Sequence, residues 1–182
     1  MKRILCLILL GLCGCAQIPK GVVAVSGFDV QRYLGTWYEI ARLDHSFERG
    51  LINVSAIYSM SDNGSLRVVN RGFDPKLNKW RQAEGKADFV SRPDMGRLKV
   101  SFFWPFYGGY NIIDLDKQNY SYVLICGNSR SYLWILAREP KLSETVVASL
   151  TQKAKKLGFD TDALISVQQE KMGDRQNTSC GK

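Results

Sequence analysis

Few side chains in this sequence are equipped for covalent chemistry. His45 is the only histidine, set in Leu43-Asp44-His45-Ser46-Phe47, and the five cysteines are Cys6, Cys13, Cys15, Cys126 and Cys180. A hydrolase or isomerase needs a nucleophile and a base converging in one cavity. His45 reads as a solvated loop residue, and the strand alternation around Cys126 turns its thiol outward, so no Ser/His/Asp or Cys/His set forms. No catalytic residue, and hence no enzyme, is expected. Zinc-type Cys/His spacing is missing, so neither a metal nor a cofactor is expected. The formal charge is +8 and the pI about 9.3, but the basic residues are scattered singly. Without a Lys/Arg run or an RNA-recognition signature, nucleic acid is not an expected partner.

The cysteine with a chemical future is Cys15. Met1-Lys2-Arg3 is a short basic region, and Ile4 to Leu12 is an apolar run too short to span a bilayer. The run ends in Leu12-Cys13-Gly14-Cys15, which resembles a bacterial lipobox, with small Gly14 directly before the cysteine that is acylated. Residues 1–14 are therefore expected to leave as a lipoprotein signal peptide, taking Lys2 and Arg3 with them and leaving a charge of +6. Several acyl chains at about 0.8 kcal/mol per methylene would hold Cys15 in a membrane permanently. Ala16, rather than Asp, after the cysteine resembles the pattern of lipoproteins sent to the outer membrane, with the folded part facing the periplasm. Only Cys126 and Cys180 then remain as free thiols, and whether they pair stays open.

These residues need a scaffold, and the rest of the chain supplies one domain. Residues 15–27, with one proline and two glycines, read as a lipidated tether, residues 28–170 as the folded domain, and 171–182 as a flexible tail. From Phe28 onward, alternating apolar/polar runs are separated by turn residues. Expected strands are 36–42, 52–60, 66–73, 80–90, 97–103, 110–115, 120–127 and 131–138. Asp62-Asn63-Gly64 and Pro75-Lys76-Leu77-Asn78 are clear turns. Eight strands joined by short turns predict an all-β, up-and-down antiparallel barrel, since closure removes the edges. Ser143 starts the one strong helix, with Val146, Val147, Leu150, Ala154 and Leu157 on one stripe and Gly158 at its end. That stripe is expected to pack outside the barrel against Leu133, Ile135 and Ala137, with a short closing strand at Ile165-Ser166-Val167.

Gly35-Thr36-Trp37-Tyr38, Asp114-Leu115-Asp116 with Tyr120 and Tyr122, and Ala137-Arg138 resemble the three characteristic stretches of the lipocalins. Glu48-Arg49-Gly50 and Phe106-Tyr107-Gly108-Gly109-Tyr110 resemble the bacterial outer-membrane branch of that family. The likeness covers about residues 28–169 and departs where Lys117 follows Asp116. It implies a structural signature of Gly35, Trp37, Asp116 and Arg138, with the Arg138 guanidinium stacked on Trp37 over the barrel floor.

Period-two reading from Trp37 and Arg138 assigns the inward, ligand-contacting faces. Glu39 and Ala41 come from strand one, and Ser55 and Ile57 from strand two. Strand four gives Ala83, Gly85 and Ala87, and strand five Leu98, Val100 and Phe102. Tyr110 and Ile112, Val123 and Ile125, and then Tyr132, Trp134 and Leu136 complete the set. The small residues on strand four favour a cavity over a filled interior. Such a cavity suits an acyl chain with a polar head, and the resemblance implies a carrier or store for lysophospholipids or fatty acids in envelope maintenance. Two other classes stay open: a barrel enzyme acting on a lipid, and a structural adaptor with a filled barrel. The aromatic run Phe103-Trp104-Pro105-Phe106-Tyr107 either dips into the membrane interface, forms a rim, or fills the loop's own small core. Dimerisation is left open.

Overall fold

The computed structural model describes residues 17–169. The expected signal peptide, Cys15, the expected tail at 171–182 and Cys180 lie outside the described residues. Eight antiparallel strands close into a barrel: β1 (Gly35–Arg42), β2 (Ile52–Met60), β3 (Leu66–Asp74), β4 (Lys79–Phe89), β5 (Arg97–Phe103), β6 (Phe106–Leu115), β7 (Tyr122–Cys126) and β8 (Leu133–Ala137). Each pairs with the next, and β1 closes the ring by pairing with both β2 and β8. A two-residue β9 (Ile165–Ser166) adds to the far end of β1. The observed β6 starts at Phe106, four residues before the expected start, because the chain turns tightly enough at Trp104-Pro105 for Phe103 to pair with Phe106.

Up-and-down connectivity gives the barrel two unlike ends. The β1–β2, β3–β4, β5–β6 and β7–β8 connections lie at one end, the β2–β3, β4–β5 and β6–β7 connections at the other. The second end is closed from below by a short helix α1 (Val30–Tyr33), capped by the Asp29 carboxylate accepting from the Gln31 amide. Above it, Trp37 is fully buried, donates its indole N–H to the Tyr33 carbonyl at 2.8 Å and stacks on the Tyr33 ring at 4.8 Å. The Arg138 guanidinium lies 4.0 Å from the centroid of the Trp37 ring and donates to the Thr36 and Arg32 carbonyls at 2.9 and 2.6 Å. Gly35 has φ +95°, which only glycine adopts freely, and a Cβ there would stand 3.4 Å from the Arg138 guanidinium. In the β6–β7 turn the Asp116 carboxylate accepts from the Gln118 and Asn119 amides and from the Ser121 hydroxyl, holding the turn without the usual residue at 117.

Among the described residues there are two large apolar clusters and a small third one of Leu51, Val54 and Val167. One large cluster lies inside the barrel above the floor and includes Leu66, Val68, Leu98, Ile112, Val123 and Leu136. The other lies between the outer wall and helix α2 (Glu144–Lys156), where Leu150 and Ala154 meet Leu133, Ile135 and Cys126. Ser143 caps α2, Lys153, Lys155 and Lys156 occupy its last turn, and Lys153 reaches Asp114 on the barrel at 2.9 Å. Cys126 is fully buried here, and burial pushes its thiol up to about 12.

The segment read as a tether is different in the structure. Residues 17–27 run along the outer wall from the open end to the closed end. Val22 and Ala24 are buried while Val23 is 76% exposed, an alternation that places one face of the segment on the barrel. The Val25 amide donates to the Ile112 carbonyl and the Gly96 amide to the Val25 carbonyl. The proline and glycines suggested a linker, but the Val-Val-Ala-Val run between them has enough apolar area to dock.

Candidate functional site

The interior of the barrel holds a cavity of about 730 Å³ that opens at the end opposite Trp37. Strand alternation builds it, and local irregularities in the ladders decide which expected residues reach it. Glu39 lines it, but a bulge between Glu39 and Ala41 shifts the register against β8. Ala41 is therefore turned out into the cluster under α2, and Arg42 is turned in and buried, reversing the period-two expectation for both. On β2 the inward parity is also corrected: Trp37 pairs with Ala56 and Gly35 with Tyr58, so Ala56 and Tyr58 face inward. Ile57 is 41% exposed on the outside, whereas Ser55 still contributes to the cavity wall.

The other strands follow the alternation more closely. Ala83, Ala87, Leu98, Val100, Phe102, Tyr110, Ile125, Tyr132, Trp134 and Leu136 all line the cavity. Gly85 pairs with Val68 on the inward register but leaves no free wall: a Cβ there would stand 2.7 Å from the Phe102 ring, which occupies the space. Ile112 and Val123 point inward yet lie below the cavity, fully buried in the floor cluster. The sequence predicts the third strand at 66–73 but assigns none of its residues to the inward face, although Leu66, Val68 and Asn70 line the wall at a spacing of two. The adjacent Val68 and Val69 had blurred that alternation.

Two buried polar clusters interrupt the apolar wall, and Asn70, Arg71, Arg81 and Gln82 add further polar side chains to the lining. Near the floor, the Tyr33 and Tyr110 hydroxyls are 2.6 Å apart and the Tyr58 hydroxyl donates to that of Tyr110 at 2.7 Å. Burial raises the pKa of all three above the ordinary phenol value, so they stay neutral. Towards the mouth, Arg42 donates to the Glu39 carboxylate at 2.7 Å and to the Glu48 carbonyl at 2.8 Å, and the Trp134 indole donates to the Glu48 carboxylate at 3.2 Å. Burial raises both carboxyl groups, and in Glu39 the neighbouring Glu48 adds to the effect while Arg42 opposes it. A buried pair of acids served by one arginine thus favours holding a proton.

His45 belongs to this group and is not the solvated loop residue the sequence suggested. It is 6% exposed, its ring stacks on Phe47 at 4.0 Å, and its Nε2 is 3.3 Å from the Glu48 carboxylate. Trp134 and Tyr132 flank it at 5.1 and 5.9 Å. Burial first, and Arg42 second, lower its pKa to about 4, so it is neutral at pH 7. The loop's Phe47, Glu48 and Leu51 line the cavity, so the β1–β2 connection folds in as part of the wall. The apolar residues at Leu43, Phe47 and Leu51, spaced by four, were the readable signal for that docking. His45 and Cys126 are not brought together, since Cys126 lies in the outer cluster. Among the described residues no group of three His, Cys, Asp or Glu side chains could hold a metal ion.

A closed barrel with a one-ended apolar cavity, a stacked Trp–Arg floor and one outer helix defines a β-barrel suited to binding a small hydrophobic ligand. A family model described as a lipocalin-like domain matches residues 28–169. This chain belongs to the lipocalin family. It is 52% identical over 157 residues to the outer membrane lipoprotein Blc of Escherichia coli (strain K12), covering 86% of this chain and 88% of that protein. The protein of the same name from Vibrio cholerae is 48% identical over 167 residues, covering 92% and 96%. Mouse apolipoprotein D is 31% identical over 154 residues, covering 81% and 80%. Insecticyanin from the tobacco hornworm superposes with a TM-score of 0.67 at 20% identity, covering 87% of this chain and 89% of that one, which is a likeness of fold.

Proposed function

We propose that this protein binds a single-chain lipid, a lysophospholipid or a fatty acid, and carries or stores it at the outer membrane, to which acylated Cys15 ties it, for envelope maintenance. The carrying observation is the cavity of about 730 Å³, apolar along most of its wall and open at one end. Its size falls within the range of small-molecule sites. Burying about twelve methylenes gives roughly 10 kcal/mol gross, several of which association takes back, which leaves micromolar or tighter binding. The names of the bacterial relatives support the location, and no helix among the described residues is long and apolar enough to span a membrane.

A tryptophan-fluorescence titration of the mature chain carrying Cys15→Ser tests this reading. Trp134 lines the cavity and donates to Glu48, so cargo should change its emission. Trp134→Phe should remove most of the signal, and a signal of unchanged size in that variant would place the bound lipid elsewhere. Tighter binding of a lysophospholipid than of a fatty acid of equal chain length shows that the mouth reads the head group. Binding of neither leaves the cavity reading without support.

A further inference from the structure

The open end of the barrel carries a cluster of exposed apolar side chains, of which Trp104 and Leu77 take no part in the cavity wall. At the β5–β6 hairpin, Phe103, Trp104 and Phe106 are 76%, 80% and 71% exposed, with the Phe103 and Phe106 rings stacked at 6.4 Å. Phe47 in the β1–β2 loop and Leu77 in the β3–β4 turn are 57% and 54% exposed at the same end. A cluster of this kind on a water-soluble surface marks an interaction site. Two features identify what it meets. First, the described chain begins in the half of the barrel nearer this end: the Asn111 side chain donates to the Gln17 carbonyl at 3.2 Å, and that oxygen would stand 2.8 Å from a Cβ on Gly109, which lines the cavity three residues from Phe106. Cys15 precedes Gln17 by two residues, a reach of about 7 Å at most. Second, Lys76 and Lys79 are exposed beside Leu77, a pairing of cations with apolar tips that suits an anionic lipid surface.

We infer that the barrel docks mouth-first on a lipid bilayer, with Trp104 and Leu77 entering the interfacial layer, so that the cavity opens directly against the membrane. This rests on the reading of Cys15 as the anchor for its in vivo geometry, but the docking surface itself does not depend on the anchor. Acylation at Cys15, two residues before Gln17, together with the aromatic hairpin would hold one orientation. Phe47, Phe103 and Phe106 also line the cavity, so an acyl chain would cross an unbroken apolar path between bilayer and barrel.

The test uses the mature chain with Cys15→Ser, which removes the anchor, and vesicles of phosphatidylethanolamine and phosphatidylglycerol. The protein should partition onto the vesicles, and bromine placed high on the acyl chains should quench Trp104, an effect missing from Trp104→Phe. Trp104→Ser with Leu77→Ser should lower partitioning at least ten-fold. Neither residue lines the cavity, so titration with monomeric lysophospholipid should be unchanged in that variant. Equal partitioning of the two proteins, or no quenching at Trp104, overturns the proposal. A concentration-dependent dimer that the double variant abolishes, without vesicle binding by either protein, assigns the patch to a second copy and also overturns it. Vesicle docking without monomer binding would leave the docking standing and remove the cargo reading.

Discussion

The closed and open ends of this barrel are made from the same strands and solve opposite problems. At the closed end, aromatic side chains are buried and their polar atoms are paired: Trp37 donates to the Tyr33 carbonyl, and Arg138 bonds the Thr36 and Arg32 carbonyls. The turns there, such as Ser61-Asp62-Asn63-Gly64-Ser65 and Asp116 to Ser121, are polar. At the open end the order is reversed, with polar atoms buried beneath exposed aromatics. His45 and Arg42 Nε lack well-aligned hydrogen bonds there, while Phe103, Trp104 and Phe106 lie in solvent. The closed end is optimised for stability, and the open end gives some up to remain able to receive a ligand. Sites of function often take this form.

The largest effect should therefore come from the closed end. Trp37→Ala removes a fully buried ring that stacks on Tyr33 and supports the Arg138 guanidinium. Large-to-small changes of this kind cost about 3–5 kcal/mol, and the lost cation–π contact adds to that. Denaturant unfolding should show the midpoint falling sharply at an unchanged slope. A loss below about 1 kcal/mol would mean that the floor is not the keystone the geometry describes.

The two ends also differ in how far their sequence could be read. Floor residues announced themselves: a glycine at positive φ before Trp37, and an arginine at the end of β8, are residue types with one good use at those positions. The strand order and outer helix were equally plain, because eight alternating runs and a capped apolar stripe leave little choice. What could not be read was where alternation breaks. Nothing in Glu39-Ile40-Ala41-Arg42 marks the bulge that exchanges Ala41 for Arg42 on the inner face, since the bulge answers to the pairing with β8 and not to local propensity. Asn53, at φ +50°, sits where the β2–β3 register shifts, and this too became visible only with its partner strand in place. His45 was misread for a related reason: its loop is polar in composition, but tertiary contacts from Trp134 and Tyr132 bury it.

A middle-sized effect should separate the buried acids from the buried histidine. The folded-state pKa of His45, about 4, lies below its ordinary 6.5. Its stabilising share is complete above pH 6.5 and is lost as pH falls towards 4. Glu39 and Glu48 are raised, so their share is complete below the ordinary carboxylate value and is lost as pH rises through the raised values. Acidification from pH 7 to 4.5 thus pits the histidine against the acids. In His45→Gln the first contribution is gone, and stability relative to the parent should improve by about 1–3 kcal/mol across that interval. Thermal melts at a series of pH values read this directly. Parallel curves for the two proteins would show that His45 does not titrate with folding.

The smallest effect is expected where the largest exposed ring lies. Trp104 is 80% exposed and lines neither the cavity nor an apolar cluster, so Trp104→Ser removes little that folding had buried. Surface changes of this sort fall within about 0.5 kcal/mol. The same unfolding experiment that registers Trp37→Ala as a collapse of stability should therefore register Trp104→Ser as almost nothing. A large loss would mean that the hairpin tip packs on the barrel in solution, forming its own small core, and that its exposure is not available to a membrane. A negligible loss leaves the ring with no structural reason to be there, which is the condition a docking residue has to meet.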